Sequence, residues 1–205
     1  MTSAIELFDK LFNRIHGGVF GLLSVIIGVC GDILAASVFP GYSIFSNMIS
    51  ELGTGPGAIF FNVGVFLAGF LAVPYLIYLG KVTLENENGN KTLLRIGIVA
   101  SVISSITLGL IGVVPAIIEN YTILFIHGLI ATICYIAAAA YLIIYCRFML
   151  KDKRFSNILA YIALVNAILF LIVVFTWQPP IQWSANICII IWTTLISINM
   201  LYKKM

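Results

Sequence analysis

Gly17-Gly-Val-Phe-Gly-Leu-Leu-Ser-Val-Ile-Ile-Gly-Val-Cys-Gly-Asp-Ile-Leu-Ala-Ala-Ser-Val-Phe39 carries a single charged side chain, Asp32. A helix of this length, rising ~1.5 Å per residue, crosses a ~30 Å hydrocarbon core. Lys10 and Arg14 precede the run and Ala35-Ala36-Ser37 lies near its end, as in a signal peptide. The run is longer than the roughly 7–15 apolar residues of such a peptide, so it predicts an uncleaved first span.

Five further runs of the same character follow, at about 58–80, 94–118, 122–146, 157–177 and 184–202. The whole chain of 205 residues is 61% hydrophobic and only 9% charged, against ~25% charged residues in a soluble domain. These features predict an all-α membrane protein, a six-transmembrane-helix bundle forming one polytopic domain over residues 1–205. Threading the runs back and forth puts all eleven Lys and Arg residues on one side. Lys10 and Arg14 precede the first run, and Lys81, Lys91 and Arg95 flank the second connection. Arg147, Lys151, Lys153 and Arg154 flank the fourth, and Lys203 and Lys204 follow the sixth run. By the positive-inside rule that side is cytoplasmic and holds both termini, in a cell-membrane protein. Dispersed bases at helix ends suit anionic lipids and exclude a nucleic-acid surface.

Two connecting segments have helical patterns of their own. In residues 3–15, Ile5, Phe8, Leu11, Phe12 and Ile15 share a face, and Ser3-Ala4-Ile5-Glu6 is a capping box. This predicts an N-terminal interfacial amphipathic helix. In residues 40–57, Phe45, Met48, Ile49 and Leu52 form an apolar stripe, while Ser46/Ser50 and Asn47/Glu51 are i,i+4 pairs opposite. Ser43 is the expected cap and Gly53 the expected left-handed terminator of a short outer interfacial helix. Its polar face either plugs the bundle or forms the lid of a site. Trp177-Gln-Pro-Pro-Ile-Gln-Trp183 reads as a rigid diproline turn between aromatic interface anchors. Asn120-Tyr-Thr and Asn90-Lys-Thr are formal glycosylation sequons, one too close to the membrane and the other on the wrong side.

Ionisable groups at membrane depth mark functional sites by default. Asp32 lies below the outer end of helix one and His127 below that of helix four, at similar depth. Glu51 and Glu119 lie just above, and Asn62 is near. An Asp–His pair suits acid/base catalysis, with Ser46 or Ser50 as a nucleophile. The same carboxylates with one His suit a divalent cation, and an internally satisfied Asp–His hydrogen bond suits simple helix packing. With His16 at the inner face, a triple-His zinc site is excluded, and no metal or other cofactor is assigned. Cys30, Cys134, Cys146 and Cys188 lie in apolar runs without metal-site spacing and read as small buried hydrophobes. Ser104, Ser105, Thr107, Asn166, Asn186 and Asn199 are expected to bond between helices, and Pro74 to kink helix two.

Several elements together resemble an uncharacterised prokaryotic domain-of-unknown-function family of six-helix membrane proteins. They are Gly28–Asp32, Tyr42-Ser-x-x-Ser46-Asn47-x-Ile49-Ser50-Glu51-Leu52-Gly53, Phe61-Asn62-x-Gly64, Gly112-Val-Val-Pro115 and His127. Ile49-Ser50-Glu51-Leu52-Gly53 is also distantly similar to an element of the eukaryotic family containing the DRAM autophagy modulators and a GPI-anchor remodelling protein. That likeness implies a lipid-related role and groups Ser50, Glu51, Asn62 and His127 as candidates for one site. Three functions follow: a lipid-associated protein with an outer-leaflet binding site at Asp32, Ser46, Ser50, Glu51, Asn62 and His127; an accessory subunit packed against other membrane proteins; and a lipid-directed hydrolase or transferase.

Overall fold

The computed structural model describes residue 8, residues 10–85 and residues 90–205. Six helices are long and apolar enough to cross a membrane: α1 (Gly17–Ser37), α2 (Ala58–Glu85), α3 (Lys91–Ile111), α4 (Tyr121–Met149), α5 (Asn157–Thr176) and α6 (Pro179–Lys203). The fold is the six-helix bundle of a multi-pass membrane protein. Each helix packs on its sequence neighbours, and α6 returns to pack on α1, so the bundle closes as a ring. Short connections between antiparallel spans favour this arrangement.

The ring is tightest where α1 meets α2. A side chain on Gly31 would strike the Phe60 carbonyl and the Gly64 backbone, so the two helices touch backbone to backbone. Buried Leu79, Leu142, Tyr145, Met149, Trp192 and Met200 belong to a core nearer the basic end. Ala35, Leu52, Phe61, Val65, Ile111 and Ala131 form a second core at the opposite end. Ile26, Ile33, Ile59, Val99, Ile158 and Ile168 point outward instead, as a lipid-facing surface requires.

Helix ends follow local chemistry and correct two expectations. Helix α3 stops at Ile111 rather than near 118, because Pro115 has no N–H to donate and disfavours helical backbone at Val114. Pro179 and Pro180 are the first turn of α6 rather than a connecting turn, a position where a missing N–H costs no helical bond. Helix α2 runs without a break through Pro74. Both sequon asparagines are helix caps: Asn90 accepts from Leu93 N at 2.9 Å and Asn120 from Ile123 N at 3.1 Å.

At the basic end, Arg154 ties three elements together. Its guanidinium bonds Asp152 and donates to the Val82 carbonyl at 2.6 Å. Its own carbonyl accepts from Asn199 at 3.2 Å and Lys203 at 2.5 Å. His16 accepts from Gly18 N through Nδ1, so Nε2 carries the proton it donates to the Met205 carbonyl at 2.8 Å. Of the expected N-terminal amphipathic helix, Phe8 and residues 10–12 are helical. Phe12 packs edge-on against Tyr78 with ring centroids 5.0 Å apart, and the Lys81 ammonium sits over its ring. The capping box Ser3–Glu6, Asp9 and Glu87 lie outside the described residues.

Candidate functional site

The connection after α1 covers the end of the ring opposite the Arg154 cluster. It is a turn at Ser43–Asn47 followed by a 3-10 helix, Ile49–Gly53, shorter than the expected helix. The side chains of Asn47 and Glu51 explain its shape. Glu51 accepts from Met48 N at 2.7 Å and from the Asn47 amide at 2.8 Å, and Asn47 accepts from Ser43 N at 3.1 Å. Ser43 accepts from Phe45 N at 3.3 Å and so caps the turn, whereas the expected helix start falls to Met48, the N-cap of Ile49–Gly53. Leu52 is fully buried and pins the segment to the bundle, whereas Phe45, assigned to the same stripe, is 75% exposed. Gly53 is not left-handed; among the described residues the glycine with positive φ is Gly41, at +72°, where the chain leaves α1.

Three fasteners hold this lid. Gln182 accepts from Ile49 N at 2.8 Å and donates to the Tyr135 hydroxyl at 2.9 Å, so one buried amide joins lid, α6 and α4. Trp183 donates to the Tyr42 hydroxyl at 3.2 Å, and Tyr42 donates to the Met48 carbonyl at 3.1 Å. Asn62 donates to the Gly53 carbonyl at 3.0 Å. Burial pushes the Tyr42 phenol up to about 12; the Trp183 bond opposes that shift, and the charges of Glu51 and Asp32 add to it.

Beneath the lid, all six helices line a cavity of about 170 Å³. Its walls are mainly apolar, with Val25, Val29, Val65, Ala68, Leu76 and Leu108 among them. The carboxylate, imidazole and amide groups gather toward the lid, at Asp32, His127, Gln182 and Asn186 with Ser50, while the hydroxyls of Ser24, Tyr75, Tyr141 and Thr193 line the deeper part. Along α6 the lining runs from Gln182 to Thr193, roughly 16 Å at helical rise. The deeper wall includes buried Tyr75, whose hydroxyl makes no hydrogen bond of normal geometry among the described residues, with Ser197 and Thr193 nearby.

The expected site residues divide into two groups. Asp32, Ser50 and His127 line this one cavity. Ser46 and Glu119 are exposed, and Glu51 and Asn62 serve the lid from outside the cavity wall. Asp32 and His127 form no hydrogen bond with each other, because α1 and α4 stand apart in the ring. Asp32 instead receives the Asn186 amide at 3.3 Å. His127 Nδ1 meets the Val114 carbonyl at 2.6 Å. A carbonyl only accepts, so Nδ1 carries a proton, and in the neutral imidazole Nε2 is then the acceptor. The early end of α3 before Pro115 turns the Val114 carbonyl toward that partner, so a helix stop in the sequence sets the tautomer.

Gln182 is the residue that sequence reasoning missed, since its neighbours Trp177, Pro179, Pro180 and Trp183 suggested anchoring alone. Its signal was an amide one turn inside a helix that starts at Pro179. Asn186, expected only to bridge helices, proves to be the side-chain partner of Asp32. Of the hydroxyls expected to bridge helices, Ser104 reaches the Cys134 carbonyl at 3.1 Å, whereas Ser105 and Thr107 bond carbonyls of their own helix. Ser24, not among them, bridges to the Ala68 carbonyl at 2.8 Å. Of the four free cysteines, Cys134 and Cys146 are buried, while Cys30 is exposed on the outside of the bundle. Among the described residues, no three His, Cys, Asp or Glu side chains are grouped to hold a metal ion.

No curated protein and no solved structure matches the chain. The likeness to the DRAM and GPI-anchor-remodelling family therefore finds no support. A family model matches residues 22–199, a stretch that contains the lid, the cavity wall and nearly all of the six spans. The chain belongs to that family, described as protein of unknown function (DUF998).

Proposed function

We propose that the protein is lipid-associated and holds an amphiphile in the cavity beneath the lid. The observation that carries this reading is one mainly apolar cavity whose carboxylate, imidazole and amides, Asp32, His127, Gln182 and Asn186, gather toward the lid, while the deeper wall is aliphatic and aromatic with only hydroxyls as polar groups. That polarity matches a molecule with a head and a tail, as ligand sites generally pair apolar walls with a few convergent polar groups. The distribution of bases supports an orientation with the Arg154 end and both termini in the cytoplasm and the lid in the outer leaflet of the cell membrane.

Catalysis is the weaker reading. No hydrogen bond joins Ser50 to His127 or His127 to Asp32 among the described residues, so a base-activated nucleophile has no assembled partner. The decisive experiment is native mass spectrometry of protein released from native membranes in mild detergent. A lipid that co-purifies with wild type and is lost in Asp32→Ala or His127→Ala, with both variants folded, supports the site. Retention unchanged in both folded variants defeats it, and stoichiometric foreign subunits without lipid favour an accessory role in a larger complex.

A further inference from the structure

The chemistry lining the cavity selects among amphiphiles. Asp32 brings a carboxylate to the wall, and its side-chain partner is a neutral amide at 3.3 Å. Neutral His127 offers an acceptor at Nε2, and Ser50 and Asn186 are uncharged. No Lys or Arg lines the cavity; every base of the chain lies at or near the far ends of the helices. A phosphate or carboxylate head would therefore meet a carboxylate in a low-dielectric site with no cation to offset it. A protonated amine would supply the missing counter-charge.

One further observation points to an occupant of this kind. Tyr135, whose hydroxyl accepts from Gln182 at 2.9 Å, also lines the wall, and an aromatic face favours a cation desolvated beside it. Size restricts the tail. The volume of about 170 Å³ is close to that of the ~150 Å³ apolar cavities that take up a benzene ring, room for one chain within the walls rather than two.

We infer that the cavity binds a single-chain amphiphile with a cationic amine head, the amine on Asp32 and the chain along the Val29, Val65 and Leu108 wall. This inference rests on the amphiphile-binding reading above and narrows it to one head-group charge and one chain.

The test is photolabelling of the full-length protein in phosphatidylcholine nanodiscs with three photoreactive probes of equal chain length: octylamine, octanol and octyl phosphate. Labelled peptides are mapped by mass spectrometry. The expected order on cavity-lining peptides of α1, α2 and α3 is amine, then alcohol, then phosphate. Asp32→Asn is expected to cut amine labelling about tenfold or more while sparing the alcohol. Octanol or octyl phosphate labelling the wild-type cavity as well as octylamine would overturn the charge assignment and leave the amphiphile reading standing. Failure of all three probes to label the cavity would overturn both. The wild-type ranking decides the matter by itself if Asp32→Asn does not fold.

Discussion

Gln182 accepts the backbone N–H of Ile49 at 2.8 Å, joining two residues that lie 133 positions apart. The bond fastens the lid to the first turn of α6, and the same amide reaches Tyr135 on α4. Replacing Gln182 with Ala leaves the Ile49 N–H without its partner beneath the surface. The expected loss is about 1–3 kcal/mol, seen as a lower midpoint in detergent-induced unfolding. The variant should also exchange amide hydrogens faster over residues 43–54 than over α2, which hydrogen exchange with mass spectrometry would read. Uniform exchange across the chain would contradict a local fastening role.

Asp32 and Asn186 form the bridge between α1 and α6 at cavity depth. Asn186→Leu removes the donor and leaves a buried carboxylate with less support, so the expected cost is again about 1–3 kcal/mol. Combining it with Asp32→Asn should restore part of that loss, since the charge needing support is gone. A double-mutant cycle measures this coupling directly. Strict additivity of the two changes would show that the 3.3 Å contact is energetically silent.

Arg154→Ala tests the clamp at the basic end. It removes the guanidinium from buried Asp152 and from the Val82 carbonyl. Arg154 itself is 30% exposed, which places the expected destabilisation near the lower end for such pairs, about 3 kcal/mol. Arg154→Lys should recover little, because one ammonium cannot repeat the fork that holds Asp152 and Val82 together. Thermal unfolding of the three proteins in the same detergent is the measurement.

Tyr42 predicts an alkaline dependence. Its phenol titrates at about 12 in the folded protein against 10.0 ordinarily. Its contribution is complete below pH 10 and is lost as pH rises toward 12, where the unfolded chain ionises first. Wild type should therefore lose more stability than Tyr42→Phe between pH 9.5 and 11.5. Parallel losses in the two proteins would show that the phenol is not buried as described.

The membrane-spanning character of the chain was legible because it is a property of composition and length. Six apolar runs must each satisfy their own backbone, and only helices do so in lipid without partners. The Asn47–Glu51 pair was legible for the same local reason: side chains four residues apart meet within one turn. Lid contacts were not. Nothing near Gln182 indicates that it bonds Ile49, and nothing near Phe45 indicates that it points outward while Leu52 is buried.

The grouping of Asp32 with His127 illustrates the boundary most clearly. Equal depth follows from sequence, since helical rise converts residue count into distance from the membrane surface. Whether equal depth becomes contact depends on which helices are neighbours. Here the chain-order ring sets α1 and α4 apart, so the two groups line one cavity and take separate partners, Asn186 and Val114. Sequence by itself determined the spans, their alternation and the side that holds the bases, because these arise from local burial of the backbone and from charge. Only the tertiary structure decided that three of the expected residues share a cavity with Gln182 and Asn186, because helix order around a ring is a packing outcome that no single span encodes.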